Sequence, residues 1–205
     1  NKFGYVNADG QIAIEPKFDY AFQFSENGLA AVTTGGKSGY INRQGEIVVE
    51  PQFEIAEDFA SRKLAMVLLA GKWGMVNASG QLVVAPDIDE VADTDFFNGL
   101  RKIRKGDKWG FIDDLGQTTI APQFALTYKF QDNGLAVIAL SEKSWGYIDK
   151  LGNIVIEPQF EEALDFNNGL APVMKSGKWG YINSNGKFVI KPRYDRVGYF
   201  CSFGL

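Results

Sequence analysis

The feature that most constrains this chain is a glycine and a proline held at a fixed separation six times over. The glycine stands at Gly4, Gly39, Gly74, Gly110, Gly146 and Gly180, and the proline at Pro16, Pro51, Pro86, Pro122, Pro158 and Pro192, so both advance by 35, 35, 36, 36 and 34 residues. All four tryptophans (Trp73, Trp109, Trp145, Trp179) precede one of these glycines, and six of the seven prolines occupy the repeated place. A period of this length means that one supersecondary unit is written repeatedly and completes its core by stacking on its neighbours.

Within the period the signals are those of short strands. In residues 134 to 168, strands are expected near Leu135 to Ala139, Trp145 to Ile148 and Asn153 to Glu157, each rich in β-branched or aromatic residues. Asx-x-x-Gly separates the second from the third in every unit: Asn7 to Gly10, Asn42 to Gly45, Asn77 to Gly80, Asp113 to Gly116, Asp149 to Gly152 and Asn183 to Gly186. The Asx side chain can accept hydrogen bonds from the turn amides and the glycine can take the left-handed conformation, which predicts a tight hairpin.

The proline is expected to end the third strand, since it cannot donate to a ladder. Both faces of that strand are apolar, as in Ile47, Val48 and Val49, so burial on both sides is expected. A connection of roughly a dozen residues follows, long enough for a single helical turn. It carries an aromatic after the proline (Phe18, Phe53, Phe124, Phe160, Tyr194) and a second one further on (Phe24, Phe59, Phe130, Phe166, Phe200). Helical repeats of similar length fail, because the turn and the proline interrupt each unit before a 3.6-residue period develops.

These residues, K-W-G-Y/F-I-Asx-x-x-G, then apolar-x-apolar-x-P-x-F/Y, then F-x-x-G-L-A-x-V, resemble the WG-repeat family of bacterial proteins, also called KWG repeats. The resemblance covers essentially the whole chain. It implies tandem β repeats, often joined to other domains, and it transfers no catalytic residue. The fold expected is therefore all-β: one domain over residues 1–205, five nearly complete units and a truncated sixth, three short antiparallel strands per unit, in an open, curved superhelical array. A closed, propeller-like ring is the alternative.

Composition excludes several functions. A net charge of −4 and a pI near 5.0 argue against a nucleic-acid partner, which would require a basic stripe. No apolar run has the length of a membrane span. The single cysteine, Cys201, excludes an intramolecular disulfide and fits either a reducing compartment or export. There is no histidine, so the commonest general base and zinc ligand is missing, and neither a cofactor nor a metal site is expected.

Residues that recur in every unit are expected to build the array, so function is sought where a unit departs from the pattern. The alanine after Gly-Leu (Ala30, Ala136, Ala171, and Ala65 after Lys-Leu) becomes Arg101, within a basic run that includes Lys102, Arg104 and Lys105. The preceding connection is acidic, with Asp87, Asp89, Glu90, Asp93 and Asp95. Arg101, Lys102, Arg104, Asp93 and Asp95 are the candidate binding residues, set against a self-paired charged face. The expected role is a non-enzymatic protein-interaction scaffold with a protein partner. The alternative is a carbohydrate- or envelope-binding module using the aromatic side chains.

Overall fold

The structure is a computed structural model that describes residues 1–59, 62–93 and 95–198. These residues are all-β, with no helix among them. The chain divides into two compact units, Asn1–Glu90 with Asp114–Gly116, and Val91–Asp113 with Gln117–Leu205. The first sheet has two strands, β1 (Phe3–Val6) and β2 (Ile12–Phe18). The second has four in chain order: β3 (Tyr20–Ala21), β4 (Ala30–Thr34), β5 (Lys37–Ile41) and β6 (Ile47–Phe53).

The same order recurs in β7 (Ile55–Ala56), β8 (Leu64–Leu69), β9 (Lys72–Asn77) and β10 (Leu82–Ile88). It recurs again in β11 (Glu90–Val91), β12 (Leu100–Lys105), β13 (Lys108–Asp113) and β14 (Thr118–Phe124). The fifth sheet is β15 (Leu126–Thr127), β16 (Ala136–Ser141), β17 (Ser144–Ile148) and β18 (Ile154–Phe160). The sixth is β19 (Glu162–Ala163), β20 (Leu170–Lys175), β21 (Lys178–Asn183) and β22 (Phe188–Tyr194). Each four-stranded sheet is an open antiparallel meander whose edges are its first and last strands.

The three expected strands are present, and each gains a two-residue partner from the connection before it. Among the described residues no helical turn forms there. The last strand of one sheet and the first of the next are separated by a single residue, as Glu54 separates Phe53 from Ile55.

The repeated phrase is explained by a bulge. Trp145 pairs with Phe160 and Tyr147 with Ile156, so two residues along β17 face four along β18, and Pro158 lies in the excess. The third strand therefore continues through the proline rather than ending at it, because a bulge leaves that position outside the ladder, where a missing N–H costs nothing. The bulged backbone folds over the WG glycine: a methyl on Gly146 would sit 2.5 Å from the Ile156 carbonyl oxygen and 2.8 Å from the Pro158 nitrogen. Only glycine fits beneath the bulge, so the two residues recur together.

The Asx turns form as expected. In the second sheet the Asn42 side-chain oxygen accepts from the Gln44 and Glu46 amides at 3.0 Å each, and Gly45 has φ 78°. Beyond the first sheet the turn glycines pack on the preceding sheet, as Gly45 does against Ile14, Gly80 against Val49, Gly152 against Ile120 and Gly186 against Ile156. That contact covers Ile14, Val49, Ile120 and Ile156, which are buried, and leaves the two opening residues of each of those strands outside. Val49 is buried, whereas Ile47 and Val48 are 51% and 41% exposed, so burial on both faces does not extend to the start of the edge strand.

Candidate interaction grooves

Two repeated devices fix the connections. The aromatic after the WG glycine packs its ring on the second connection phenylalanine: Tyr5 on Phe24, Tyr40 on Phe59, Phe111 on Phe130 and Tyr147 on Phe166, with centroids 4.7–4.9 Å apart. Where it is tyrosine, its hydroxyl donates to a carbonyl 17 residues on. Tyr5 reaches Phe22 O, Tyr40 reaches Glu57 O at 2.7 Å, Tyr147 reaches Leu164 O and Tyr181 reaches Gly198 O. Burial, with the Glu57 and Asp58 charges adding to it, raises the Tyr40 pKa far above the ordinary phenol value, and burial raises that of Tyr5 to about 12.

The second device is the single crossover residue. Asp19 accepts from the Gly35 amide, Glu54 from Gly71, and Glu161 from both Ser176 and Gly177, so a carboxylate leaving one sheet holds the first turn of the next. Lys2 pairs with Asp19, Lys72 with Asp89 and Lys178 with Asp195, which accounts for the lysine of the K-W-G phrase. The Asp19 carboxyl is held below its usual range by Lys2 first and the Gly35 amide second. This acidic position recurs in the sequence and carried a signal that strand patterning does not register.

The tryptophans belong to the frame. Trp179 is buried, and Trp73, Trp109 and Trp145 are half-buried. Trp145 packs against a buried cluster and donates its Nε1–H to Glu142 O at 3.0 Å.

The repeat that departs from the pattern places its predicted residues as follows. Arg101 is 3% exposed and donates to Asp93 O through Nε (3.1 Å) and Nη2 (2.7 Å), with its guanidinium over the Phe96 ring. Asp93 has φ 67°, a left-handed conformation that is costly without glycine. Lys102 donates to Thr127 O at 3.1 Å and lies over Trp109, and Arg104 donates to Gly106 O and also lies over Trp109. Asp95 accepts from the Phe96 amide at 2.7 Å. Cys201 and Phe200 lie outside the described residues.

Sequence reasoning did not locate two grooves on the connections. The first, about 550 Å³, is lined by Gln131, Asp132 and Asn133 from one connection and Asp165, Phe166, Asn167, Asn168 and Gly169 from the next. The second, about 600 Å³, is lined by Glu26 and Asn27, by Arg62 and Lys63, and by the hairpin turn Asn77, Ala78 and Ser79. They occupy matching places: Glu26-Asn27-Gly28-Leu29 aligns with Asp132-Asn133-Gly134-Leu135, and both asparagines accept from a leucine amide, 3.0 and 3.1 Å away.

Their charge differs. The first groove presents two carboxylates and no cation among its lining residues, whereas the second sets one carboxylate against Arg62 and Lys63. In the first, Asp165 Oδ1 is buried without a hydrogen-bond partner, and burial pushes the Asp165 carboxyl above its usual range despite the lowering effects of Gln131, Lys129 and Lys102.

Comparison with known proteins agrees with the repeat. No curated protein matches the chain. Among solved structures it is similar to a crystal structure of the eukaryotic initiation factor (12% identity, TM-score 0.49, 90% of this chain and 59% of that one). It is also similar to Kluyveromyces lactis Hsv2 (10%, 0.38, 82% and 61%) and to BamB from Moraxella catarrhalis (11%, 0.35, 83% and 75%). The chain spans about three fifths of the first two, and at these scores the likenesses carry no argument. The model described as WG containing repeat matches residues 3–37, 39–73, 73–109, 109–143, 145–179 and 179–204, six times in succession. With glycine, bulge and proline repeated at the same offsets, the chain belongs to the WG containing repeat family.

Proposed function

We propose that this chain is a non-enzymatic protein-interaction module, a scaffold whose grooves between connections each take a polypeptide segment. The observation that carries this reading is the pair of matched grooves, with the same backbone turn in both and opposite charge in the residues facing it. A framework that stays constant while equivalent surface positions change chemistry suits the recognition of different side chains at each groove. The buried Arg101 acts in this reading as a support for the Asp93 turn, and any direct contact from the irregular unit comes through the half-buried Lys102 and Arg104.

A carbohydrate-binding role is favoured by one observation, the amide-rich lining of the first groove, and disfavoured by tryptophans taken up in packing. The test is photo-crosslinking in source-cell extract, with the reactive residue placed at Asn27, at Asn168, or at the exposed turn residue Leu151 as a control. Polypeptide adducts at both groove positions and not at Leu151 are expected. Glycan adducts alone, or equal labelling at all three positions, would overturn the reading.

A further inference from the structure

We infer that the groove between residues 131–133 and 165–169 is a seat for a basic side chain, an arginine or lysine presented by a polypeptide partner. The inference rests on the protein-interaction reading and names what one groove recognises. It begins from Asp165. A carboxylate oxygen taken out of water with no donor opposite it is destabilising, and folded chains normally satisfy such an atom. Here Oδ1 is buried without a partner, while Gln131 hydrogen-bonds the carboxyl and the half-buried residue lines the cavity.

The remaining lining has the same sense. Asp132 is exposed on the facing connection, and the amides of Gln131, Asn133, Asn167 and Asn168 make up most of the remaining lining, so two carboxylates and neutral amides face the space with no cation among them. The two cations whose charge acts on Asp165 also engage other groups: Lys102 Nζ donates to Thr127 O and lies over the Trp109 ring, and Lys129 Nζ lies over the Phe97 ring at 4.1 Å. They lower the Asp165 pKa through space without reversing the effect of burial.

A guanidinium or ammonium seated in the cavity would place a full positive charge beside Asp165 and donors against the amide oxygens. About 550 Å³ admits such a head group with its aliphatic stem against Phe166. The corresponding groove at Glu26–Asn27, facing Arg62 and Lys63, has the opposite charge and should refuse the same ligand.

The experiment uses the full chain and a fluorescein-labelled tetra-arginine peptide, followed by anisotropy at low salt, with amide chemical shifts recorded in parallel. The parent, Asp165→Asn, Asp132→Asn and Asp9→Asn are compared; the last removes the same charge from an exposed hairpin turn. Saturable binding is expected, with shifts at residues 131–133 and 165–169, and a loss of about tenfold in affinity in the first two variants and none in the third. Asp165→Asn should melt no lower than the parent, which separates loss of binding from loss of fold.

Equal weakening by all three variants would show attraction to the overall negative charge and overturn the proposal. Absence of saturable binding, or equal shifts with neutral maltotetraose, would also overturn it. None of these outcomes touches the crosslinking result at Asn27, so the scaffold reading stands or falls separately.

Discussion

Two junctions in this molecule are built on one plan and held by different bonds. Between the second and third sheets, Tyr40 packs on Phe59 and donates to Glu57 O, and the crossover residue Glu54 accepts from the Gly71 amide. Between the fourth and fifth sheets, Phe111 packs on Phe130 at almost the same distance, but it has no hydroxyl, and the crossover residue is Ala125. Other side chains hold that connection. Thr127, 1% exposed, donates to Val137 O at 2.8 Å and approaches Tyr128 O at 3.2 Å; Lys102 donates to Thr127 O; and Asn98 reaches the Phe130 carbonyl. The ring pair is thus common to these two junctions, and the polar latch is replaceable as long as buried backbone groups find partners.

The largest effect should show what the junctions share. Tyr40→Ala and Phe111→Ala each remove a fully buried ring, so each is expected to cost about 3–5 kcal/mol. Urea unfolding of the two variants checks this. A difference of more than about 2 kcal/mol between them would mean that the ring pair is not the common element, given the usual spread for core truncations.

The next effect separates the junctions. Tyr40→Phe leaves Glu57 O without its donor and should cost about 1–2 kcal/mol, whereas Thr127→Val should cost a similar amount at the other junction. Phe111→Tyr should gain little, because Thr127 already occupies that region. Alkaline titration adds an independent check. The Tyr40 pKa is raised on folding, so its contribution is complete below the unfolded phenol value near 10 and is lost as pH rises above it, by about 1.4 kcal/mol per unit. Tyr40→Phe should flatten the alkaline limb of the stability curve, and an unchanged limb would mean that the phenol is not held neutral.

Much of the frame was legible in the sequence, because the elements that recur are those fixed by backbone geometry. The positive φ of Gly45 and the close approach over Gly146 each admit one residue type, so each leaves a mark at constant spacing. The two-residue strands left none. A pair such as Ile55 and Ala56 is too short to show alternation, and it becomes a strand only by pairing with Leu68 and Val67. The proline was legible as a position and misleading as a stop, since Pro158 sits in a bulge that only the register shows. The run Ile47, Val48, Val49 suggested a strand buried on both faces, yet a single residue of it is covered by the neighbouring turn.

The candidate grooves were the least legible. Asp165 and Gln131 lie in separate units of the repeat, and no spacing rule connects them. Arg101 stood out correctly as a departure from the pattern, but its chemistry turned inward to Asp93 O.

The smallest expected effect tests whether the crossover carboxylate belongs to one type of turn. The turns held by Glu54 and Glu161 have both central residues at positive φ, Ala70 at 51° with Gly71 at 73° and Ser176 at 54° with Gly177 at 69°. That conformation directs amides towards the crossover residue. The corresponding turn in the fifth sheet, Glu142–Lys143, shows no positive φ, and its Glu142 carbonyl is engaged by the Trp145 indole. Glu54→Ala is therefore expected to cost less than about 1 kcal/mol, as an exposed bond should, and Ala125→Glu to gain nothing. If Ala125→Glu stabilised the chain while Glu54→Ala left it unchanged, turn type would not govern the carboxylate, and the two junctions would differ by sequence drift rather than by matched local geometry.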